Sequence, residues 1–349
     1  MMPKKKGRQT VEFSNPPSIT AAAAIGGPKE GQGPLGRFFD KIAEDEKWGE
    51  KSWEKAESKF VKETLRTLLA KGKSDPDSID FIFAGDLLNQ CASSNFGLRD
   101  SKIPFLGLYG ACSTMGEAMI LAAMAVDGGF AEKAVSITSS HFCSAEKQFR
   151  LPLEQGSQRP PSAQWTVTAA GGVLIQSQGN GPYITRATVG KIIDLGIKDA
   201  NNMGAAMAPA AADTIYTHFN ENGLTPDYYD LIITGDLGKI GREICGEILA
   251  ENNIDLNGKL DDCGLHIYDM KKQDPHAGGS GCGCSAAVFA CYLYNELVNR
   301  DINRLLFVPT GALHSPISVL QSESIPCIAH AVSIETVKTS KERLIKWEH

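Results

Sequence analysis

The 349-residue sequence lacks three features that would assign it to familiar classes. It has no CxxC pair, and its one CxC, Cys282 and Cys284, has no second pair at zinc-site spacing. Its longest apolar run, residues 118–126, is too short to cross a bilayer. Basic charge is not in excess either, because 35 Lys and Arg face 41 Asp and Glu for a net charge of −6. This balance argues against general nucleic-acid binding.

The cysteines and the amino-terminal residues indicate the cellular compartment in which the protein is expected to fold. Nine cysteines are scattered along the chain, an odd number that suits free thiols in a reducing environment. Residues 1–7 are basic, but no apolar segment follows, so we do not expect a signal peptide. Lys4, Lys5, Lys6 and Arg8 offer contacts to anionic lipid, although such a terminus is usually a solvated tail. We predict a soluble protein, or at most one peripheral to a membrane.

The chain contains an internal repeat. Residues 76–87 (PDSIDFIFAGDL) and 226–237 (PDYYDLIITGDL) are identical at seven of twelve positions, at an offset of 150. Each copy follows an amphipathic helix that ends near a glycine, Gly72 or Gly223, and each reads as a Pro-Asp turn followed by a buried strand. The pattern predicts two halves related by duplication.

A second correspondence extends the repeat. Each half has a turn of small residues, 110–116 around Cys112 and 278–284 in the second half, that opens a long apolar helix. Strands that alternate with helices predict mostly parallel sheets covered on both faces. The further predictions are helices at 41–62, 117–127 and 285–298, strands at 105–109, 134–138 and 305–308, and a loop over the site at 155–164.

We therefore expect an α/β protein whose halves, residues 1–183 and 184–349, pack as one body. Ligand sites in such folds form where the carboxyl ends of strands meet helix N-termini. Asp86, Cys112, Asp236 and Thr310 all follow predicted strands. The two aspartates either face a pocket or cap turns, and since both copies keep the residue, we expect a structural role for at least one.

Two candidate reactive side chains stand out. Cys112 precedes a helix, where the positive field of unpaired N–H groups lowers a thiol pKa and favours a nucleophile. The alternative, a small buried cysteine, remains open. His276 lies in a Gly-rich loop and is expected to be a site residue, whereas His141 and His314 are interpreted as structural.

Together, the duplicated halves, the Cys112 turn and the His-x-x-Gly sequence at His276 resemble the thiolase superfamily, which includes thiolases and ketoacyl-ACP synthases. The resemblance implies two βαβαβαββ halves in a five-layer αβαβα body, with Cys112 as acyl-accepting nucleophile and His276 as base. It also suggests a homodimer. Residues 235–238 replace the His-Gln-Ala-Asn of type III synthases, and residues 308–311 replace the second cysteine of thiolases. These departures weaken the expectation of condensing activity.

Residues 110–117 and 274–281 are similar, within that superfamily, to sporulation proteins of endospore formers. This resemblance implies uptake of dipicolinic acid into the developing spore, within a membrane-associated assembly of stage V sporulation A proteins at the inner spore membrane. No cofactor or metal of the protein's own is implied, although calcium accompanies the ligand in one form.

The ligand contacts expected from the resemblance come from both halves of the chain. Backbone donors near Cys112 and Gly311 would bind one carboxylate of dipicolinate, and His276 the other. Asp236 would turn aside or face bound calcium. The full predicted set is Cys112, Asp86, Asp236, His276, Thr310 and Gly311. Three functions remain possible: a dicarboxylate-binding protein, which we favour, an acyltransferase that uses Cys112, and a scaffold with a vestigial pocket.

Overall fold

The computed structural model describes residues 4–149 and 159–337. Its strands are β1 Thr10–Glu12, β2 Ser18–Gly26, β3 Lys41–Ile42, β4 Phe81–Gly85, β5 Phe105–Gly107, β6 Lys133–Ser140, β7 Trp165–Thr166, β8 Ala169–Gln176, β9 Tyr183–Thr188, β10 Leu231–Thr234, β11 Leu260–Asp262, β12 Gly279–Ser280, β13 Arg304–Val308, β14 Thr310–Ala312, β15 Cys327–Ala329 and β16 Ala331–Glu335. Its helices are α1 Pro28–Gly31, α2 Trp53–Lys71, α3 Ala92–Leu98, α4 Thr114–Asp127, α5 Phe142–Phe149, α6 Met203–Asn222, α7 Gly238–Glu251, α8 Cys282–Val288, α9 Tyr294–Asn299 and α10 Pro316–Leu320.

The strand order shows the duplication directly. The first half is ordered β5-β4-β6-β8-β2, and the second continues from it as β9-β16-β13-β10-β11. Each strand thus has its counterpart at the mirrored position, and the halves join where Ser18 pairs with Tyr183. Strands β4, β5 and β6 are parallel, while β8 runs antiparallel to its neighbours. The predicted repeat is confirmed.

Helices cover the sheets in five layers. Helix α4 and the helix formed by α8, a π-helical segment at Phe289–Leu293 and α9 lie between the two half-sheets, where the largest apolar cluster sits. Helix α2 packs on the outer face of the first half-sheet, and α6 and α7 pack on that of the second. This is the thiolase-like architecture that the resemblance implied. The division after residue 183 stays a prediction.

Helices α2 and α6 show how local sequence sets the element bounds. The Ser52 side chain accepts a hydrogen bond from the Lys55 N–H, and Asn202 caps α6 in the same way through Ala205. The predicted helix over 41–62 is therefore wrong in its first part. Residues 41–52 instead form strand β3 and turns, because Asp45 bonds backbone N–H groups two and three residues ahead.

The central helices of both halves begin three residues before the predicted bounds, and α4 begins at Thr114 rather than at residue 117. The central helix of the second half begins at Cys282, inside the Gly-rich segment, rather than near residue 285. The predicted loop at 155–164 lies partly outside the described residues. Within the described parts of the chain, no helix combines the length and apolar character needed to span a bilayer.

Candidate functional site

A cavity of about 210 Å³ lies beside Cys112 at the strand ends. The Cys112 turn and the loop after β4 form one side of it, α5 another, and strands β12 and β14 with the residues that follow them the rest. The lining residues are Leu87, Asn89, Tyr109, Ala111, Cys112, Ala145, Glu146, Phe149, Thr166, Met203, Ser280, Gly281, Ala312, Leu313, His314 and Ser315.

The turn that carries Cys112 is fixed by its own side chains. Ala111 has a left-handed φ of 51°, which brings the chain sharply from β5 toward α4. Ser113 Oγ donates to the Gly110 carbonyl at 2.7 Å, and Thr114 Oγ1 donates to the Ala111 carbonyl at 2.6 Å. The predicted strand-to-helix turn is confirmed, although Cys112 lies two residues before the helix.

The second half reaches this turn through Gly311. A Cβ added at Gly311 would lie 2.5 Å from the Gly110 carbonyl oxygen and 2.9 Å from the Ser113 nitrogen. Only glycine therefore allows β14 to pack against the Cys112 turn. The structure brings Gly311 and Cys112 together, as predicted.

Asp236 lies directly behind the cavity wall and is buried. Its Oδ1 accepts a 2.6 Å hydrogen bond from Thr310 Oγ1, and its Oδ2 accepts one of 3.2 Å from the Gly281 N–H. The Cys112 turn lies close to this group, because Gly311, the residue after Thr310, packs against the backbone of that turn. Burial raises the Asp236 pKa to about 7, although these hydrogen bonds lower it. Asp236, Thr310, Gly311 and Cys112 thus form one cluster.

The electrostatic expectation for Cys112 was wrong in sign. Burial, followed by the neighbouring Asp236 carboxylate, raises the pKa of the Cys112 thiol well above its ordinary value. The field of the helix N-terminus was expected to lower this pKa. Because the thiol lies outside the first turn of α4 and beside a buried acid, desolvation and like-charge repulsion dominate.

Asp86 occupies the duplicated position but has a different role. Its carboxylate accepts hydrogen bonds from the Leu88 N–H and from both the N–H and the hydroxyl of Ser94. These bonds tie the loop after β4 to helix α3, and Asp86 does not line the cavity. The expectation that at least one of the two aspartates is structural is confirmed.

The two candidate histidines do not lie where the sequence suggested, because His314 lines the cavity and His276 does not. His276 is not among the lining residues; its Nε2 lies 3.7 Å from an Asp274 carboxylate oxygen, on the outer side of the loop. His314 does line the cavity, with its ring 5.5 Å from that of Phe149. Its position just beyond β14, which also carries Thr310, was the signal that sequence reasoning overlooked.

A buried carboxylate missed by the sequence analysis supports this cluster. Asp262 accepts hydrogen bonds from Thr234 Oγ1 and from the N–H groups of Leu237, Gly238 and Gly264. These bonds fix the segment between β10 and α7 that includes Asp236. Its position at the end of β11, beside β10, was the available signal.

One group of side chains has metal-ligand chemistry. Potential ligand atoms of Glu46, His141 and Cys143 lie within 4.8 Å of one another. Both ring nitrogens of His141 already have partners, however, since Nε2 bonds to the Glu46 carbonyl and Nδ1 accepts from the Cys143 N–H. This pattern matches the structural role expected for His141.

Solved structures with this architecture include a 3-oxoacyl-[acyl-carrier-protein] synthase III and OleA. The 3-oxoacyl-[acyl-carrier-protein] synthase III of Aquifex aeolicus VF5 matches with a TM-score of 0.54 at 12% identity, over 91% of this chain and 99% of that one. Xanthomonas campestris OleA E117D matches with a TM-score of 0.57 at 13% identity, over 96% and 100%. At such identities the likeness shows the fold alone: the protein has the thiolase-like fold.

Sequence similarity identifies the family. The family profile described as "Stage V sporulation protein AD (SpoVAD)" matches residues 7–335. The stage V sporulation protein AD of Bacillus subtilis (strain 168) is 47% identical over 332 residues, which cover 95% of this chain and 98% of that protein. The chain belongs to the stage V sporulation protein AD family, and is a sporulation protein.

Proposed function

We propose that the cavity binds dipicolinic acid, free or complexed with calcium, and that the protein supports its uptake into the developing spore within the stage V sporulation A assembly. The observation that carries this proposal is the cavity beside Cys112, whose lining combines apolar side chains with polar ones at the strand ends. A lowered pKa activates a thiol as a nucleophile. The pKa of the Cys112 thiol is raised instead, so the cavity suits binding better than acyl transfer.

The cavity lining offers apolar surface for a flat aromatic ring and polar groups for its two carboxylates. Leu87, Phe149 and Met203 supply apolar surface for the ring. His314 and Ser280 supply donors for the carboxylates. The ring of Phe149, already packed near His314, is placed to stack on the ligand.

The charges around the cavity favour the calcium complex over the free dianion. The buried Asp236 carboxyl group lies behind the cavity, whereas the described lining contains neither Lys nor Arg. A free dianion would add negative charge beside Asp236 when that group is ionised. Calcium neutralises the charge of the ligand.

Isothermal titration calorimetry with dipicolinate, with and without calcium, tests the proposal. We expect saturable binding that Ala312→Leu, which fills the cavity, abolishes and that His314→Ala weakens. Cys245→Ala, a buried cysteine in outer helix α7, is the matched control and should bind like the parent. Absence of saturable heat under both conditions, or equal binding by the filled variant, would contradict the assignment.

The alternative is an acyltransferase that uses Cys112 as nucleophile, favoured by the exposure of this thiol to the cavity. Incubation with acyl-CoA followed by intact-mass measurement distinguishes the two functions. A stable thioester that disappears in Cys112→Ser would support the enzyme.

We also propose that the chain forms a homodimer through the edge of β5. This strand is terminal in the sheet order, and Leu106 within it and Tyr109 just after it are about half exposed. An unpaired strand edge is a ready surface for a second strand. Light scattering should give a dimer mass that Leu106→Asp reduces to that of a monomer.

A further inference from the structure

We propose that Asn89 is a specificity-determining residue of the cavity, whose side-chain amide presents its N–H groups to a carboxylate of the ligand. This inference rests on the proposed binding function and names a group that recognises the acid. Asn89 is exposed and lines the cavity from the loop after β4. The described lining contains neither Lys nor Arg, so a carboxylate depends there on donors such as amides, hydroxyls and histidine.

The orientation of the Gln148 side chain in α5 is set by the backbone of this loop. Gln148 Oε1 accepts a 3.1 Å hydrogen bond from the Asn89 main-chain N–H, a group that can only donate. Gln148 Nε2 donates at 3.2 Å to the Leu87 main-chain carbonyl, a group that can only accept. The oxygen and the nitrogen of the Gln148 amide therefore cannot exchange places.

The orientation of Gln148 fixes the Asn89 side chain in turn. Gln148 Nε2 lies 3.3 Å from Asn89 Oδ1, and the Tyr109 hydroxyl lies 3.4 Å from the same oxygen. Turning the Asn89 amide over would place its NH2 group against the Nε2 donors of Gln148, and two donors form no hydrogen bond. Asn89 therefore directs its oxygen toward Gln148. Its Nδ2 has no hydrogen-bond partner within the described residues, so both of its N–H groups remain available to a ligand.

The backbone that follows Asn89 is held in an unfavourable conformation. Gln90 and Cys91 have left-handed φ angles of 60° and 52°, which residues with a Cβ adopt only at a cost. Asn95 Nδ2 donates to the Gln90 carbonyl at 2.6 Å, and Cys91 Sγ donates to the Leu108 carbonyl at 3.0 Å. Strain of this kind is concentrated at functional sites, where it places a side chain. Here it places the Asn89 amide at the cavity.

Calorimetry of the full chain with calcium-free dipicolinate tests this role. Asn89→Ala removes the donors and should weaken binding about tenfold, since a hydrogen bond to a charged group is among the stronger ones. Asn89→Asp keeps Oδ1 for Gln148 and Tyr109 but replaces the NH2 group with an anionic oxygen, so it should weaken binding more. A purely structural role of Oδ1 predicts no loss in this variant.

Asn95 supplies the matched control. It is another exposed asparagine, lies in α3 and is not among the lining residues. Asn95→Asp makes the same change of charge away from the cavity and should bind like the parent. If the parent binds dipicolinate only in the presence of calcium, the comparison of Asn89→Ala with Asn95→Ala under that condition decides the matter, because neither variant changes the charge.

Gln148→Met tests the orientation of the amide, because Gln148 holds Asn89 without lining the cavity. The single variant should weaken binding, and adding it to Asn89→Ala should cause no further loss. A parent without saturable heat contradicts the proposed binding function, and this role with it. The role of Asn89 alone is overturned if the parent binds and Asn89→Ala binds equally, or if Asn95→Asp loses as much affinity as Asn89→Asp.

Discussion

Thr310 and Asp236, 74 residues apart, are joined by a 2.6 Å hydrogen bond between the hydroxyl and a carboxylate oxygen. The next residue, Gly311, packs against the backbone of the Cys112 turn. A single dipeptide of β14 therefore connects the buried acid of the second half with the Cys112 turn of the first.

Gly311→Ala should destabilise the fold and disturb the Cys112 turn. Its Cβ would lie 2.5 Å from the Gly110 carbonyl oxygen, so backbone must move. Overpacking of this kind costs about 1–3 kcal/mol, measurable by urea unfolding. Gly246→Ala inside α7 is the control: its nearest neighbour is 3.8 Å away, and it should be neutral or stabilising. Equal stability of the two variants would count against the contact.

Stability should fall as the pH rises from about 5 toward 8. Burial raises the pKa of Glu57 to about 8 and those of Glu30 and Asp236 to about 7. Between its ordinary pKa and its raised pKa, each group binds more protons in the folded state than in the unfolded chain. It therefore lowers the free energy of unfolding by up to about 1.4 kcal/mol per pH unit until its own folded pKa is passed.

Glu57→Gln tests the largest of these shifts. Ser139 and Ser144 donate to the Glu57 carboxylate, and the amide oxygen of glutamine can still accept a hydrogen bond. The variant should be relatively more stable than the parent at pH 8 and show a flatter dependence on pH in chemical denaturation. An unchanged slope would show that Glu57 titrates normally.

Dipicolinate should bind more tightly below pH 7 than above it. Asp236 is ionised above its pKa of about 7, and its negative charge then opposes an anion in the cavity next to it. Calorimetry of the calcium-free ligand at pH 6 and pH 8 measures the difference, which Asp236→Asn should remove. Affinity that is independent of pH in the parent would separate Asp236 from the ligand.

Cys112→Ser should retain both the fold and ligand binding. Serine keeps a small side chain with a donor group at this turn, and a hydroxyl is a stronger hydrogen-bond donor than a thiol. We expect a melting temperature at or above that of the parent and a dissociation constant for dipicolinate within about fivefold, since a hydrogen bond contributes about 1 kcal/mol. A loss of binding would show that the sulfur itself contacts the ligand.

The sequence by itself determined the duplication and the order of elements. The repeat at offset 150 fixed the equivalence of β4 with β10, because a conserved Pro-Asp turn and a short apolar strand are local features. The sequence also placed Cys112, Asp236 and Thr310 just after predicted strands. The carboxyl ends of parallel strands lie at one edge of a sheet, so these residues were expected to lie close together.

Only the tertiary structure decided which of two similar residues lies at the site. Asp86 and Asp236 share one motif, yet contacts from distant segments separate their roles. Likewise, only the tertiary structure shows that His314 lines the cavity and that His276 does not. The direction of the Cys112 pKa shift also depends on burial and on Asp236, a carboxylate 124 positions away in the sequence. Electrostatics acts through space, so a linear pattern cannot fix its sign.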